Sequence, residues 1–379
     1  MNKKVWISIF FIILFAGIAG YMGLNYAVDP LGYFTVKKGT ELYDADQYAR
    51  AIKSEYVHEN ADAIQGAVIG GSKSGVLSTK LLSQYTGKNY YNFYVTMGNF
   101  ADYLTYSTYL VENTDISELT LHLSSFEVRA YNRETRSSNY EIPAIVNGNG
   151  WDRFTELLSY LMSDLPTVAE TIADGNAQDT WAAANELSTG ERIWFKEDAA
   201  FEKDPKKATK NRVLGKLEQN LKKAFNGSAN SFPAFDDNIA ALRKIKALCD
   251  EHGVTLKVVI GASFIGERDT FECERYYSYL SQIVDITDVW LFDDFNDINL
   301  NPYNFVNRNH YSNAVADLMV NTMYGQEHYE GFGVYLTSDN IYSYLDQRRA
   351  DFQRYKEEFE TTGTIALQGM EDESYIPRF

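Results

Sequence analysis

From Val5 to Leu24 the chain runs without a charged residue, behind Lys3 and Lys4 and ahead of Asn25 and Asp29. At 1.5 Å per residue a helix over this run spans roughly 30 Å, the thickness of a hydrocarbon core. Beyond it, short apolar, β-branched runs alternate with longer stretches of helical period. That alternation predicts an α/β domain, a three-layer α/β/α parallel sheet covered by helices on both faces. The predicted strands are Gly66 to Ile69, Tyr90 to Val95, Leu119 to Ser124, Leu256 to Ile260 and Val289 to Phe292. The predicted helices between and after them are Leu77 to Tyr85, Phe100 to Val111, Phe235 to His252, Arg268 to Ile283 and Ser312 to Tyr324.

The alternation breaks after the third strand, where Trp151 to Leu165 and Arg212 to Phe225 are the clearest helices. The expected organisation is a transmembrane segment over 1–24, an α/β domain in two parts over 25–126 and 234–325, and a helical insertion over 127–233. A C-terminal extension over 326–379 carries one predicted helix, Asn340 to Phe359, and a polar tail.

Lysines ahead of the apolar run predict a single-pass cell-membrane protein with its N-terminus inside and its domain extracytoplasmic. A cleavable signal peptide is the alternative. Its apolar stretch is normally shorter, and the small residues Ala16, Gly17, Ala19 and Gly20 lie inside the run, not at a polar end.

An apolar content of 45% and an aromatic content of 15% suffice for a packed core. A net charge of −17 argues against a nucleic-acid partner, because phosphate neutralisation needs clustered Lys and Arg. The two cysteines, Cys249 and Cys273, exclude a disulfide scaffold and a CxxC knuckle. They could bridge, but free thiols are the expectation. Lys203 to Lys223 holds eight basic residues against two acids. It reads as a solvated helix face or as a contact with anionic headgroups or an anionic wall polymer.

Candidate chemistry begins at Ala67-Val68-Ile69-Gly70-Gly71-Ser72-Lys73-Ser74-Gly75, a strand running into small residues and then a helix. Parallel sheets bind ligands at the carboxyl ends of their strands, where Ser72 would stand as a nucleophile with its own N–H near a developing oxyanion. An ordinary Gly-Ser turn with Ser72 or Ser74 as N-cap is the plain alternative. A serine needs a base, and His310, in Asn307-Arg308-Asn309-His310-Tyr311-Ser312, precedes the last core helix. His58 and His252 lie in polar helical contexts, His122 within the third strand and His328 in the C-terminal extension.

The strand-Gly-Gly-Ser element, the Asn307-x-x-His310-Tyr311 element and Asn25-Tyr26-Ala27-Val28-Asp29-Pro30 after the anchor together resemble membrane-anchored proteins of the SGNH (GDSL-like) hydrolase superfamily. DltD-like and alginate-acetylation proteins are the nearest in style. The resemblance covers the anchor and about 200 residues of core, not the insertion. It implies a flavodoxin-like SGNH fold, Ser72 as nucleophile, His310 as base, and Gly98 with Ser72 in the oxyanion hole. Two positions depart from the pattern. Asn307 stands where an Asp is expected, and the third strand ends in Ser124-Ser125 without the expected Asn. Asp294 or Asp297 could supply a carboxylate, although such acids are more often loop caps and solvated charges.

The resemblance implies an esterase or O-acyltransferase acting on a cell-envelope polysaccharide or wall polymer. No cofactor is required, and a membrane-embedded acyltransferase is an implied partner. Trp151, Trp181 and Trp194 would stack on sugar rings or pack between helices. The alternative is a non-catalytic SGNH-fold module for binding or assembly in a polymer-modification or export complex.

Overall fold

The computed structural model of the chain describes residues 3–45, 48–124, 141–174, 181–225, 232–267 and 272–370. Its strands are β1 (Leu42–Asp44), β2 (Gly66–Gly70), β3 (Tyr90–Tyr94), β4 (Glu118–Leu123), β5 (Ala184–Glu186), β6 (Arg192–Ile193), β7 (Thr255–Ile260), β8 (Val289–Leu291), β9 (Phe305–Asn307), β10 (His310–Tyr311) and β11 (Val334–Leu336).

The main sheet has six strands in the order β11-β8-β7-β4-β2-β3. The five strands β2, β3, β4, β7 and β8 pair in parallel and β11 joins β8 antiparallel. In order of appearance the parallel strands run 2-1-3-4-5 across the sheet, a doubly wound arrangement with its switch point between β2 and β4. The predicted strands match the observed ones to within a residue or two. Strands covered on both faces are nearly continuous in apolar residues, which made them legible.

Alternation along each strand divides the core. Ala67, Ile69, Leu119, Leu121, Val258 and Ile260 face one layer, which includes the helices Phe100–Asn113, Phe235–Glu251 and Glu274–Val284. Val68 and Val259 face the other, with Thr79–Thr86, Asn313–Met323 and the later turns of Ile341–Thr362. Each such buried Val, Leu or Ile contributes roughly 1.5–3 kcal/mol. Cys249 and Cys273 are both free thiols.

Two predicted regions differ in kind from the expectation. The stretch 127–233 is not purely helical where described: β5 and β6 join β1 in a separate antiparallel sheet beside the edge strand β3, whose Asn92 N–H donates to the Thr189 carbonyl at 2.8 Å. These strands are two or three residues long, too short for a period to show. The C-terminal extension likewise contributes β11 to the main sheet before its long helix Ile341–Thr362. The start of the predicted helix Arg268 to Ile283 lies outside the described residues; its described part is Glu274–Val284.

At the N-terminus, Lys3–Val28 is a single helix, long and apolar enough to cross a membrane, with none of its apolar window buried in the protein. Its end is tied down. Asn25 is buried, and the Asp29 carboxylate accepts from the Phe34 N–H at 3.1 Å and meets Lys38 at 3.5 Å.

Candidate active site

Ser72 follows β2 at the start of a 3₁₀ turn, Ser72–Val76, with Gly70 and Gly71 before it. A Cβ on Gly70 would lie 2.7 Å from both the His122 carbonyl oxygen and Ser74 Oγ, so the sharp exit from the strand needs glycine. The turn is braced from β3: Asn92, fully buried, donates through Nδ2 to the carbonyls of Ser74 at 2.8 Å and Leu77 at 3.1 Å.

His310 arrives on a hairpin. β9 and β10 pair antiparallel with Asn307 directly opposite His310, joined by Arg308 and Asn309. The Asn-x-x-His spacing is thus a two-residue hairpin loop, which brings residues three apart face to face. The insertion holds this loop: Arg308 donates from its backbone N–H to the Arg212 carbonyl at 3.0 Å, and from its side chain to the Gly215 carbonyl at 3.1 Å.

These elements bring Ser72, His310 and Asn307 into one line. Ser72 Oγ lies 2.8 Å from His310 Nε2, and His310 Nδ1 lies 2.9 Å from Asn307 Oδ1. The Asn309 N–H also donates to Oδ1 at 3.0 Å, which fixes that oxygen toward the hairpin. His310 Nδ1 must then carry the proton, leaving Nε2 as the acceptor for the serine hydroxyl. This is the tautomer a general base requires. Asp294 is occupied elsewhere, accepting from the Tyr344 hydroxyl at 2.8 Å, and Asp297 is exposed at the start of the short helix Asp297–Leu300.

Sequence reasoning missed the charged groups around the pair. Lys73, buried in the cleft wall, donates to Ser263 Oγ at 3.0 Å and pairs with Glu267 at 2.7 Å. Arg192 on β6 stacks over the Trp194 ring at 4.1 Å, and that ring sits 4.7 Å from the His310 ring. Burial first, then the charges of Arg192 and Lys73, pushes the His310 imidazole down to about 3. Lys73 was visible beside Ser72, but nothing local in the sequence connects Arg192 or Trp194 to a histidine more than a hundred residues later. Of the three tryptophans singled out, Trp194 is thus buried against the His310 ring, while Trp151 is 69% exposed and Trp181 is half-buried.

Gly98 lies beside the serine, but its N–H is committed. It donates to the Val95 carbonyl at 2.9 Å across a turn in which Met97 has φ +55°. Arg50 fixes this turn through the Thr96 carbonyl at 3.1 Å and through Asp102, which also caps the helix Phe100–Asn113 with Asn99. The expected oxyanion donor at Gly98 is therefore not offered in this conformation. Ser72 N–H stands at the open start of its turn, and Ser124 occupies the wall where the resemblance leads one to expect an Asn.

Ser72, Lys73, Gly98, Tyr103, His122, Ser124 and His310 are among the residues lining an open cleft of about 120 Å³ at the switch point of the sheet. His122 forms part of its floor. It is wholly buried, 3.0 Å from the Tyr311 hydroxyl through Nε2, and burial with the nearby Lys73 charge pushes it down to about 3. His58, His252 and His328 are exposed outside the cleft. Compared with known proteins, the chain matches no family model and no curated protein.

Proposed function

We propose that this chain is an SGNH-type serine esterase or O-acyltransferase that acts on short acyl esters of a cell-envelope polysaccharide or wall polymer. We place it outside the cytoplasmic membrane, anchored by Lys3–Val28 with its N-terminus inside. The observation that carries this reading is the Ser72–His310–Asn307 line, at 2.8 and 2.9 Å, opening into a cleft. His310 Nε2 would take the proton from Ser72 Oγ as the oxygen attacks the ester carbonyl, and Ser72 N–H would hold the oxyanion. The alkoxide leaves with the proton from His310, and water or a polymer hydroxyl then accepts the acyl group by the same steps in reverse order. The cleft is well below the roughly 300 Å³ at which drug-sized ligands begin to fit, which favours a short acyl group over a buried sugar ring.

A second reading, a non-catalytic SGNH-fold assembly module, is favoured by two observations: the Gly98 N–H is already bonded, and Asn307 brings no charge to His310. Turnover of p-nitrophenyl acetate by the detergent-solubilised full chain separates the two. The enzyme reading expects turnover that falls at least about 10³-fold in Ser72→Ala and in His310→Ala, with circular dichroism unchanged. Turnover equal in parent and variants would sink simple ester hydrolysis through Ser72 and favour the module.

A further inference from the structure

Among the described residues outside the anchor, the largest group of exposed large apolar side chains is gathered in one place, while Met97, Tyr335, Tyr342 and Met370 lie elsewhere. Trp151, Phe154, Leu158, Met162, Leu165 and Ile172 are between 37% and 69% exposed. They belong to two consecutive helices, Gly150–Tyr160 and Leu165–Asp174, and to the turn between them. In the first helix Trp151, Phe154 and Leu158 are spaced i, i+3, i+7 and share one face. The helix is docked to the body by a different face. Leu157, Tyr160 and Leu161 pack on Tyr33 and Phe34, with Tyr160 stacked on Tyr33 at 3.9 Å, and Arg153 reaches Glu55 at 3.1 Å. Its third face is polar, with Asp152, Glu156 and Ser159 lining a cleft beside Tyr48. The apolar stripe is thus additional to what the helix needs for folding.

The position of the stripe identifies what covers it. Tyr21 lies in the anchor, three residues before Leu24, the last of the uncharged run, and so about 5 Å inside it. The Tyr21 hydroxyl donates to the Ser163 carbonyl, in the turn between the two helices, and Leu165–Asp174 packs against the anchor helix. If Lys3–Val28 crosses a bilayer, this turn sits at headgroup depth, and the flanking helices with it. Trp, Phe and Leu on an amphipathic helix are the side chains that prefer that layer.

We propose that Gly150–Tyr160 and Leu165–Asp174 form a second membrane contact that lies in the headgroup region of the bilayer spanned by Lys3–Val28, fixing how the catalytic domain stands on the membrane. The proposal rests on the membrane-spanning reading of the anchor, and the test separates the two. The full chain is reconstituted in phosphatidylcholine vesicles, with and without lipid brominated near the headgroup end of its acyl chains, and tryptophan emission is compared with that of Trp151→Phe and Trp6→Phe. Both positions are exposed, so neither change threatens the fold. The expected result is that the Trp151 contribution, read as parent minus W151F, falls at least about twofold in brominated vesicles, as an interfacial helix requires. Quenching of the Trp6 contribution alone overturns the proposal, leaves the anchor standing and gives the stripe to a protein partner. Quenching of neither overturns the anchor as well.

Discussion

At Asn307 an amide oxygen orients His310 without bringing a charge to it, while Arg192 and Lys73 disfavour the imidazolium. A base works in its neutral form, so activity is lost as pH falls through its pKa. With His310 pushed down to about 3, the acid limb of kcat/KM should lie well below the ordinary histidine value of 6.5. Asn307→Asp adds a negative charge beside Nδ1, which raises that pKa and stabilises the imidazolium formed during attack. Ester turnover is expected to rise at least about tenfold, within the roughly 10⁴-fold that the converse change costs a serine protease. The acid limb should move to higher pH in the same profile. Reduced turnover with an unmoved limb would make Asn307 a structural amide only. His122 gives a stability effect of the same sign. Its folded value of about 3 lies below 6.5, so as pH falls through that window the unfolded chain gains a proton that the fold refuses. Melting temperature should therefore drop between about pH 7 and pH 4.5, and less steeply in His122→Gln, which keeps an acceptor for the Tyr311 hydroxyl.

Elements carry these residues unequally, and the sequence revealed them unequally. The parallel strands were legible because Gly66–Gly70 and Glu118–Leu123 are buried at every position, and Ser72 followed from the glycines after β2. His310 was legible as a candidate from its place just ahead of the last core helix, whereas the hairpin that sets Asn307 opposite it showed only in the structure. What stayed hidden depends on contacts between distant segments. β6 is two residues long and carries no period, yet it brings Arg192 and, next after it, Trp194 to His310. Lys53, buried in the helix Ala49–Glu59, clamps the turn between β5 and β6 to β3 by donating to the carbonyls of Asn92 and Gly190, each at 2.8 Å. The commitment of the Gly98 N–H depends on a backbone turn that residue types alone do not specify. Because the Trp194 ring packs on His310 and lies outside the Ser72 hydrogen bond, Trp194→Leu should act by misplacing the base. We expect kcat to fall about 10–100-fold with KM nearly unchanged, the size of effect a misplacement near 1 Å produces. A matching rise in KM would show instead that Trp194 binds substrate.

On the scale of the whole molecule, the C-terminal extension is bound into the domain by a buried charge. Arg348, in the helix Ile341–Thr362, is 1% exposed and donates through Nε to both carboxylate oxygens of Glu272 at 3.1 Å. It also donates to the Asp293 carbonyl and, at 2.9 Å, to the Tyr344 hydroxyl, with the Asp293 and Asp294 carboxylates close by. Apart from Tyr344, in its own helix, these partners come from the segment ahead of Glu274–Val284 and from the loop after β8, so one guanidinium joins the extension to two parts of the α/β core. The neighbouring carboxylates raise its pKa against the opposing effect of burial, and it stays charged. Glu272 is itself nearly buried, and removing the arginine would strand its charge. Replacing a whole buried ion cluster with apolar groups is often neutral, whereas removing one partner costs about 3–5 kcal/mol. Arg348→Met should therefore lower the urea-unfolding free energy by about that amount. Adding Glu272→Leu should recover part of the loss, because it removes the stranded charge. If instead Arg348→Met costs nothing while the single Glu272→Leu does, the arginine is dispensable and the extension is held by its apolar contacts, Ile341 and Leu345 in one layer and Tyr355 in the other.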